Sequence, residues 1–189
     1  MTKSVKGTKT EQNLLKSFAG ESQARNRYTY FAKQAKKDGY EKVRKVFEEI
    51  ADQERQHAKS MFQHLEGGML EITAMYPAGM IGDTVENLKA AVAGEHEEQA
   101  DLYPEFARIA DEEGFPEIAV MYRMIAKAES HHEERFAALL KEVEAGTMFK
   151  KDAPTRWVCL NCGFVYEGTE APAQCPACQH PQAWFDVLK

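Results

Sequence analysis

The sequence predicts an all-α four-helix bundle followed by a small four-cysteine metal domain. Three observations carry this. Apolar residues recur every three or four positions through four stretches between residues 11 and 146. Glutamates and histidines interrupt those apolar stripes at corresponding places. All four cysteines stand near the C-terminus, as two CxxC pairs.

The first stripe is Leu14, Phe18, Glu21, Arg25, Tyr28, Ala32 and Ala35, and Asp38-Gly39 ends it. The second is Val43, Phe47, Ile50, Glu54, His57, Met61 and Leu65, with Gly67-Gly68 as its stop. A connection of about 15 residues with Pro77, Gly79 and Gly82 follows. Asp83 and Glu86 have the spacing of a capping box for the third helix. Its stripe is Leu88, Val92, Glu95, Glu98, Leu102, Phe106 and Ile109, and Pro104 should kink it. Gly114 and Pro116 precede the fourth, whose stripe is Ile118, Tyr122, Ile125, Glu129, His132, Phe136, Leu139 and Val143. Short links within each pair and a longer one between pairs give two antiparallel hairpins joined by a crossover. The expected organisation is a bundle over 1–146, a mostly polar linker over 147–156 and a cysteine domain over 157–189. So small a tail needs a metal or disulfide staple.

Size and charge narrow the function. A chain of 189 residues with 43% hydrophobic and 29% charged residues suits one medium and one small globular domain. A net charge of −6 without a basic stripe argues against nucleic acid as a partner. No apolar run reaches membrane-spanning length, and MTKSVKGTKT lacks a signal peptide's apolar core. A cytoplasmic location is therefore expected, where CxxC pairs bind metal rather than form disulfides.

The two hairpins resemble each other. Ala19-Gly20-Glu21 matches Ala93-Gly94-Glu95 at an offset of 74. Phe31, Gly39, Ile50, Glu54 and His57 match Phe106, Gly114, Ile125, Glu129 and His132 at an offset of 75. An internal repeat of one helical hairpin gives a pseudo-twofold bundle.

Glu21, Glu54, His57, Glu95, Glu98, Glu129 and His132 all fall on core-facing stripes. The members of Glu54-x-x-His57 and of Glu129-x-x-His132 lie within roughly 60° of each other about the helix axis, whereas Glu97 and His131 point to solvent. Five buried carboxylates with nothing between them would repel strongly, and each unpaired charge costs several kcal/mol. Arg25 could neutralise one at most. Two divalent cations resolve the conflict, and single glutamates on two helices with Glu-x-x-His on the other two is the ferritin-like di-metal pattern. One such pair is usually a solvated surface feature; two at repeat-equivalent core positions are not. Carboxylate-rich sites with two imidazoles suit iron or manganese better than zinc. Glu98 has Ala24 as its repeat counterpart. It is either a chance glutamate at the stripe's edge or an extra carboxylate that alternates with a histidine on one metal. Tyr28 and Tyr103 are core aromatics whose hydroxyls could reach a ligand carboxylate. His64, His96 and His180 need no metal role.

Cys159-x-x-Cys162-Gly163 and Cys175-Pro-x-Cys178 are 12 residues apart. Gly163 permits the close turn after the first pair. Four such thiolates hold zinc or a single iron. Trp157, Phe164, Tyr166, Trp184 and Phe185 would surround the site with apolar bulk, and a di-iron neighbour needs electrons, which favours iron.

The segments FAGESQARNRY, ADQERQHA, AVAGEHEEQ, ESHHEERF, WVCLNCGFVYEG and APAQCPACQHPQAWF resemble the rubrerythrin family over essentially the whole chain. The resemblance implies a ferritin-like bundle, a rubredoxin-like C-terminal domain and a peroxidase that reduces hydrogen peroxide to water in oxidative-stress defence. It implies a di-iron site from Glu21, Glu54, Glu95, Glu98, Glu129 and His132, with His57 replacing Glu98 on one iron upon reduction. It further implies rubredoxin-type iron at Cys159, Cys162, Cys175 and Cys178, and head-to-tail homodimers or larger homo-oligomers. No G-x-G-x-x-G occurs, so NAD(P)H would act through a separate reductase or a rubredoxin. Two other readings stay open: ferritin-like iron oxidation and storage, and a metal or redox sensor with a structural zinc ribbon.

Overall fold

The computed structural model describes residues 3–188. Thr8 caps the first helix, α1 (Lys9–Lys37), its hydroxyl accepting from the Glu11 amide. Helix α2 (Glu41–Phe62) returns antiparallel. Asp83 opens α3 (Thr84–Glu97) with both bonds of a capping box. A π-helical stretch, Glu98–Leu102, leads into α4 (Tyr103–Glu112), and α5 (Pro116–Glu144) closes the bundle. No helix among the described residues is long and apolar enough to cross a membrane.

The third predicted helix is thus interrupted, and the break is a π turn rather than a bend at Pro104. The Tyr103 amide reaches back five residues to the Glu98 carbonyl, and Pro104 has no amide to give. A π turn holds one residue more than the α-helix around it. The buried face records that residue. Leu102, Phe106 and Ile109 were expected inside, yet Tyr103, Ala107 and Ala110 are the buried ones, each one position later. The change of repeat offset from 74 to 75 is the same extra residue, seen in the sequence.

α2 ends at Phe62, before the expected glycine stop, and Leu65 lies outside it. The connection 63–83 is correspondingly longer than expected and has no regular structure. It lies as a strap against α1: the Tyr76 hydroxyl donates to the Lys16 carbonyl at 2.8 Å, and Gln23 donates to the Pro77 carbonyl at 2.7 Å.

The bundle core is divided. Tyr28, Phe31, Phe47, Leu88 and Phe136 belong to one apolar cluster, and Leu14, Met61, Tyr103, Ile118 and Tyr122 to another. Along every long helix the glutamates lie between residues of the two clusters. Burial of both clusters drives assembly and strips water from the layer between them.

Strands β1 (Lys150–Cys159), β2 (Val165–Glu170) and β3 (Phe185–Val187) form an antiparallel sheet in the order β2-β1-β3. β1 begins inside the segment expected to be a linker, and Met148 there is buried. This sheet rests on its own bundle. Phe149 stacks on Tyr40 at 6.1 Å, Lys42 pairs with Asp186 at 2.9 Å and Glu142 at 3.2 Å, and Lys45 reaches the Leu160 carbonyl.

Candidate metal centres

Four helices bring two groups of side chains together. Glu21, Glu54, His57 and Glu129 can place one ligand atom each within 4.8 Å of one another, and so can Glu54, Glu95, Glu129 and His132. Glu54 and Glu129 belong to both groups, so they stand between two positions. They are repeat equivalents on α2 and α5. Glu21, Glu54, Glu95 and Glu129 are completely buried, and His132 nearly so.

Glu98 is the predicted site residue that the structure leaves out of both groups. It opens the π turn and lines a cavity beside α1. His57 is in. Its Nδ1 lies 2.9 Å from Glu54 and 2.8 Å from Glu129. Glu97 and His131 are exposed, as their helical phase requires. Arg25 is exposed and neutralises no carboxylate of the cluster.

The electrostatics are those of an anion cluster out of water. Burial first, then the charges of Glu129, Glu98 and Glu54, push Glu21 well above the usual carboxylate range. Glu95 is pushed up to about 8, by burial and then by Glu54 and Glu129 against the His132 bond. Burial also opposes ionisation of Glu54, but His132 and His57, close against it, outweigh burial and hold Glu54 at about 2. The same partnership overcomes burial to raise His57 to about 9 and His132 to about 12. Without metal, protons must therefore stand in for cations.

Buried lone pairs test whether metals fit. Glu21 Oε2, Glu54 Oε1, Glu95 Oε2, both oxygens of Glu129 and His132 Nδ1 have no hydrogen-bond partner. His132 Nδ1 stands 2.8 Å from Glu129 and 3.0 Å from Glu54, close enough for an ion pair but without hydrogen-bond alignment. Its other nitrogen, Nε2, is 3.0 Å from the side-chain oxygen of Gln53. Donation there keeps a proton on Nε2 and makes Nδ1 the nitrogen that faces the carboxylates, free to give its lone pair once a metal replaces the second proton. Carboxylate oxygens and an imidazole nitrogen that converge without hydrogen-bond partners are a cation site.

Two tyrosines complete the shell, crosswise between the repeats. Tyr28 of α1 donates to Glu95 of α3, and Tyr103 of α4 donates to Glu21 of α1. Burial and the neighbouring carboxylates push both phenols well above their usual range, so they remain neutral donors. Sequence reasoning missed Gln53, since a polar residue beside a helix stripe carries no signal of its own.

In the cysteine domain, Cys159 and Cys178 sulfurs are 3.7 Å apart, as are those of Cys162 and Cys175. All four thiols are free and mutually within 4.8 Å. Metal–sulfur bonds of about 2.3 Å in a tetrahedron put sulfurs about 3.8 Å apart, so one metal fits. The two knuckles match: Gly163 donates to the Cys159 carbonyl at 2.8 Å and Gln179 to the Cys175 carbonyl at 2.9 Å, at φ 77° and 63°. The His180 backbone amide pulls the Cys178 thiol down to about 6. Trp157 and Phe185 are buried against the cluster, with Phe164 and Trp184 packed on it; Tyr166 is 41% exposed, and Phe149 packs there as well.

Comparison with known proteins agrees with both centres. The family model for rubrerythrin matches residues 12–140, and that for the rubrerythrin rubredoxin-like domain matches 157–186. Rubrerythrin of Porphyromonas gingivalis is 59% identical over 189 residues, covering 100% of this chain and 94% of that protein. Rubrerythrin of Nitratidesulfovibrio vulgaris is 56% identical, covering 98% and 97%. The structure of nigerythrin in a partially reduced state superposes with a TM-score of 0.64 at 32% identity, covering 99% of this chain and 90% of that one. With both models matched in order and such identity across its whole length, the chain belongs to the rubrerythrin family, with a ferritin-like di-iron bundle and a rubredoxin-type four-cysteine iron site.

Proposed function

We propose that this protein is a peroxidase that reduces hydrogen peroxide to water, with electrons entering through the four-cysteine iron. The family is one of oxidoreductases. The observation that carries the proposal is the pairing, on one chain, of a buried ligand cluster sharing two carboxylates with a separate tetrathiolate site. Storage of iron needs no such electron entry, and a sensor with a structural zinc ribbon needs no buried di-iron pair.

When bound, the two ferrous irons supply the two electrons that cleave the O–O bond. The residues do the rest. Glu54 and Glu129, shared by both ligand groups, would hold both metals, Glu21 would complete one position and Glu95 with His132 the other. The Tyr103 and Tyr28 hydroxyls fix the outer carboxylates, and Gln53 fixes the His132 tautomer. His57 and Glu98 are alternates for the position that Glu21 completes. An imidazole suits the softer ferrous ion and a carboxylate the harder ferric one. His57 beside Glu54 and Glu129, with Glu98 in the adjoining cavity wall, puts both alternates within the neighbourhood of that position and supports the reading.

A separate NAD(P)H-dependent reductase, or a rubredoxin, feeds the cysteine site. A cytoplasmic setting, supported by four unpaired thiols, belongs to the proposal. So does a homodimer or larger homo-oligomer, supported by Val120 and Met124, exposed one turn apart on α5.

Cys162→Ser tests electron entry. The bundle should fold, load two irons and be oxidised once by peroxide, while steady-state turnover stops. Undiminished turnover would refute the route. For the ligand exchange, crystal structures of oxidised and reduced protein should show Glu98 on the metal in the first and His57 in the second. The same contact in both would remove the exchange.

A further inference from the structure

Hydrogen peroxide occupies less room than two water molecules, each about 30 Å³ in the liquid. The cavity that reaches Glu98 and Tyr103 measures about 320 Å³. Its depth ends at Tyr103, whose hydroxyl bonds to Glu21. Its walls are largely carbon: Ala74, Met75 and Pro77 from the strap, Leu102 and Phe106 from the π turn and α4. Gly20 and Gly94 line it with bare backbone; a Cβ on Gly20 would lie 3.6 Å from the Tyr76 ring and one on Gly94 3.7 Å from the Arg27 guanidinium, both ordinary contact distances. Arg27 lines the cavity with a buried Nε that has no partner. A carbon-walled space with a few polar groups at one end fits an amphipathic small molecule. Its mouth lies by Met75, which is 99% exposed.

We infer that the site also takes small alkyl hydroperoxides, with the alkyl group between the strap and Leu102 and the hydroperoxide group at the Glu98–Tyr103 end. This rests on the peroxidase reading above. The O–O bond of ROOH breaks, two electrons arrive singly from an external one-electron donor through the four-cysteine iron, and two protons from solvent complete one alcohol and one water. Arg27 Nε–H is the free donor for the hydroperoxide oxygens. Strap and π turn together thus set the substrate class, while the buried carboxylates set the chemistry.

The test measures kcat/KM of the iron-loaded protein for tert-butyl hydroperoxide and for hydrogen peroxide under one reductant. Both should be reduced. Leu102→Trp and Ala74→Trp, which narrow the cavity, should each lower the ratio of the tert-butyl to the hydrogen peroxide value roughly tenfold, the scale of one lost pocket contact. Ala74→Trp, on the strap, carries the test if Leu102→Trp fails to load iron. Crystals under xenon pressure give a readout independent of turnover, with xenon in the cavity of the parent and none in Leu102→Trp. Turnover of hydrogen peroxide without tert-butyl hydroperoxide overturns this inference and leaves the peroxidase standing. Failure with both substrates overturns both. An unchanged ratio in the tryptophan variants, or no xenon in the parent, removes the cavity as the binding site.

Discussion

Asp38, at the end of α1, accepts hydrogen bonds from the amide and hydroxyl of Thr84 at the start of α3. Glu113, at the end of α4, accepts the same two bonds from Thr10 at the start of α1. Thr10 and Thr84 are repeat equivalents, as are Asp38 and Glu113. The turn of each hairpin thus ties down the start of the other's first helix, as each tyrosine crosses to the other's glutamate. The halves differ by one residue, absorbed in the π turn. The turn opens at Glu98, whose counterpart in the first half is Ala24, so the second half also carries one more carboxylate. A nearly symmetric scaffold holds two metals alike, and the π turn with its Glu98 makes their surroundings unlike.

The largest test of this symmetry removes the shared carboxylates. Glu54→Ala and Glu129→Ala should each drop metal content from about three irons per chain to about one, since both positions lose a ligand. Metal analysis showing one half far more tolerant than the other would end the twofold account. Next comes the length of the π turn. Deleting Glu98 should return the π turn to α-helix and set Pro104 against a carbonyl four residues back, at a cost of about 3 kcal/mol or more. Adding Pro104→Ala should recover most of it in chemical denaturation. A deletion as stable as the parent would mean that the extra residue is absorbed elsewhere.

Smaller effects probe the crosswise bonds. Tyr28→Phe and Tyr103→Phe each leave a buried carboxylate without its donor, at about 1–3 kcal/mol of metal-free stability. Equal losses are expected, and a large inequality would place the asymmetry beyond the π turn. Glu113→Gln weakens the cap on α1, at about 1 kcal/mol near neutral pH. Burial raises the Glu113 carboxyl, but its bonds to Thr10 and Lys9 prevail and hold it below the usual range. Its stabilisation is therefore present above the unfolded value of about 4.3 and fades as pH falls through the folded one. The gap between parent and variant should close in acid, as read from unfolding midpoints. The cysteine knuckles repeat the comparison on a smaller scale. Gln179 adopts the left-handed conformation that Gly163 adopts freely, so Gln179→Gly should raise the domain's stability by about 1 kcal/mol.

The helices, the four-cysteine site and the residues able to hold metal were legible in the sequence because each leaves a local, periodic mark. A glutamate on an apolar stripe is conspicuous at any distance from its partners, and CxxC spacing nearly specifies its own geometry. The π turn was written there too, as the slip of repeat offset from 74 to 75, but a slip shows only when both halves are laid together. Other facts have no local mark. Which tyrosine meets which glutamate, that Gln53 faces His132, and that Asp38 and Glu113 cap each other's hairpin are relations between surfaces remote in sequence. The position of Glu98 is of the same kind. Its helical phase points it inward, but whether it reaches the metals depends on the wider π turn and the cavity beside it. Periodicity decides which face of a helix is dry; only packing decides what that face meets.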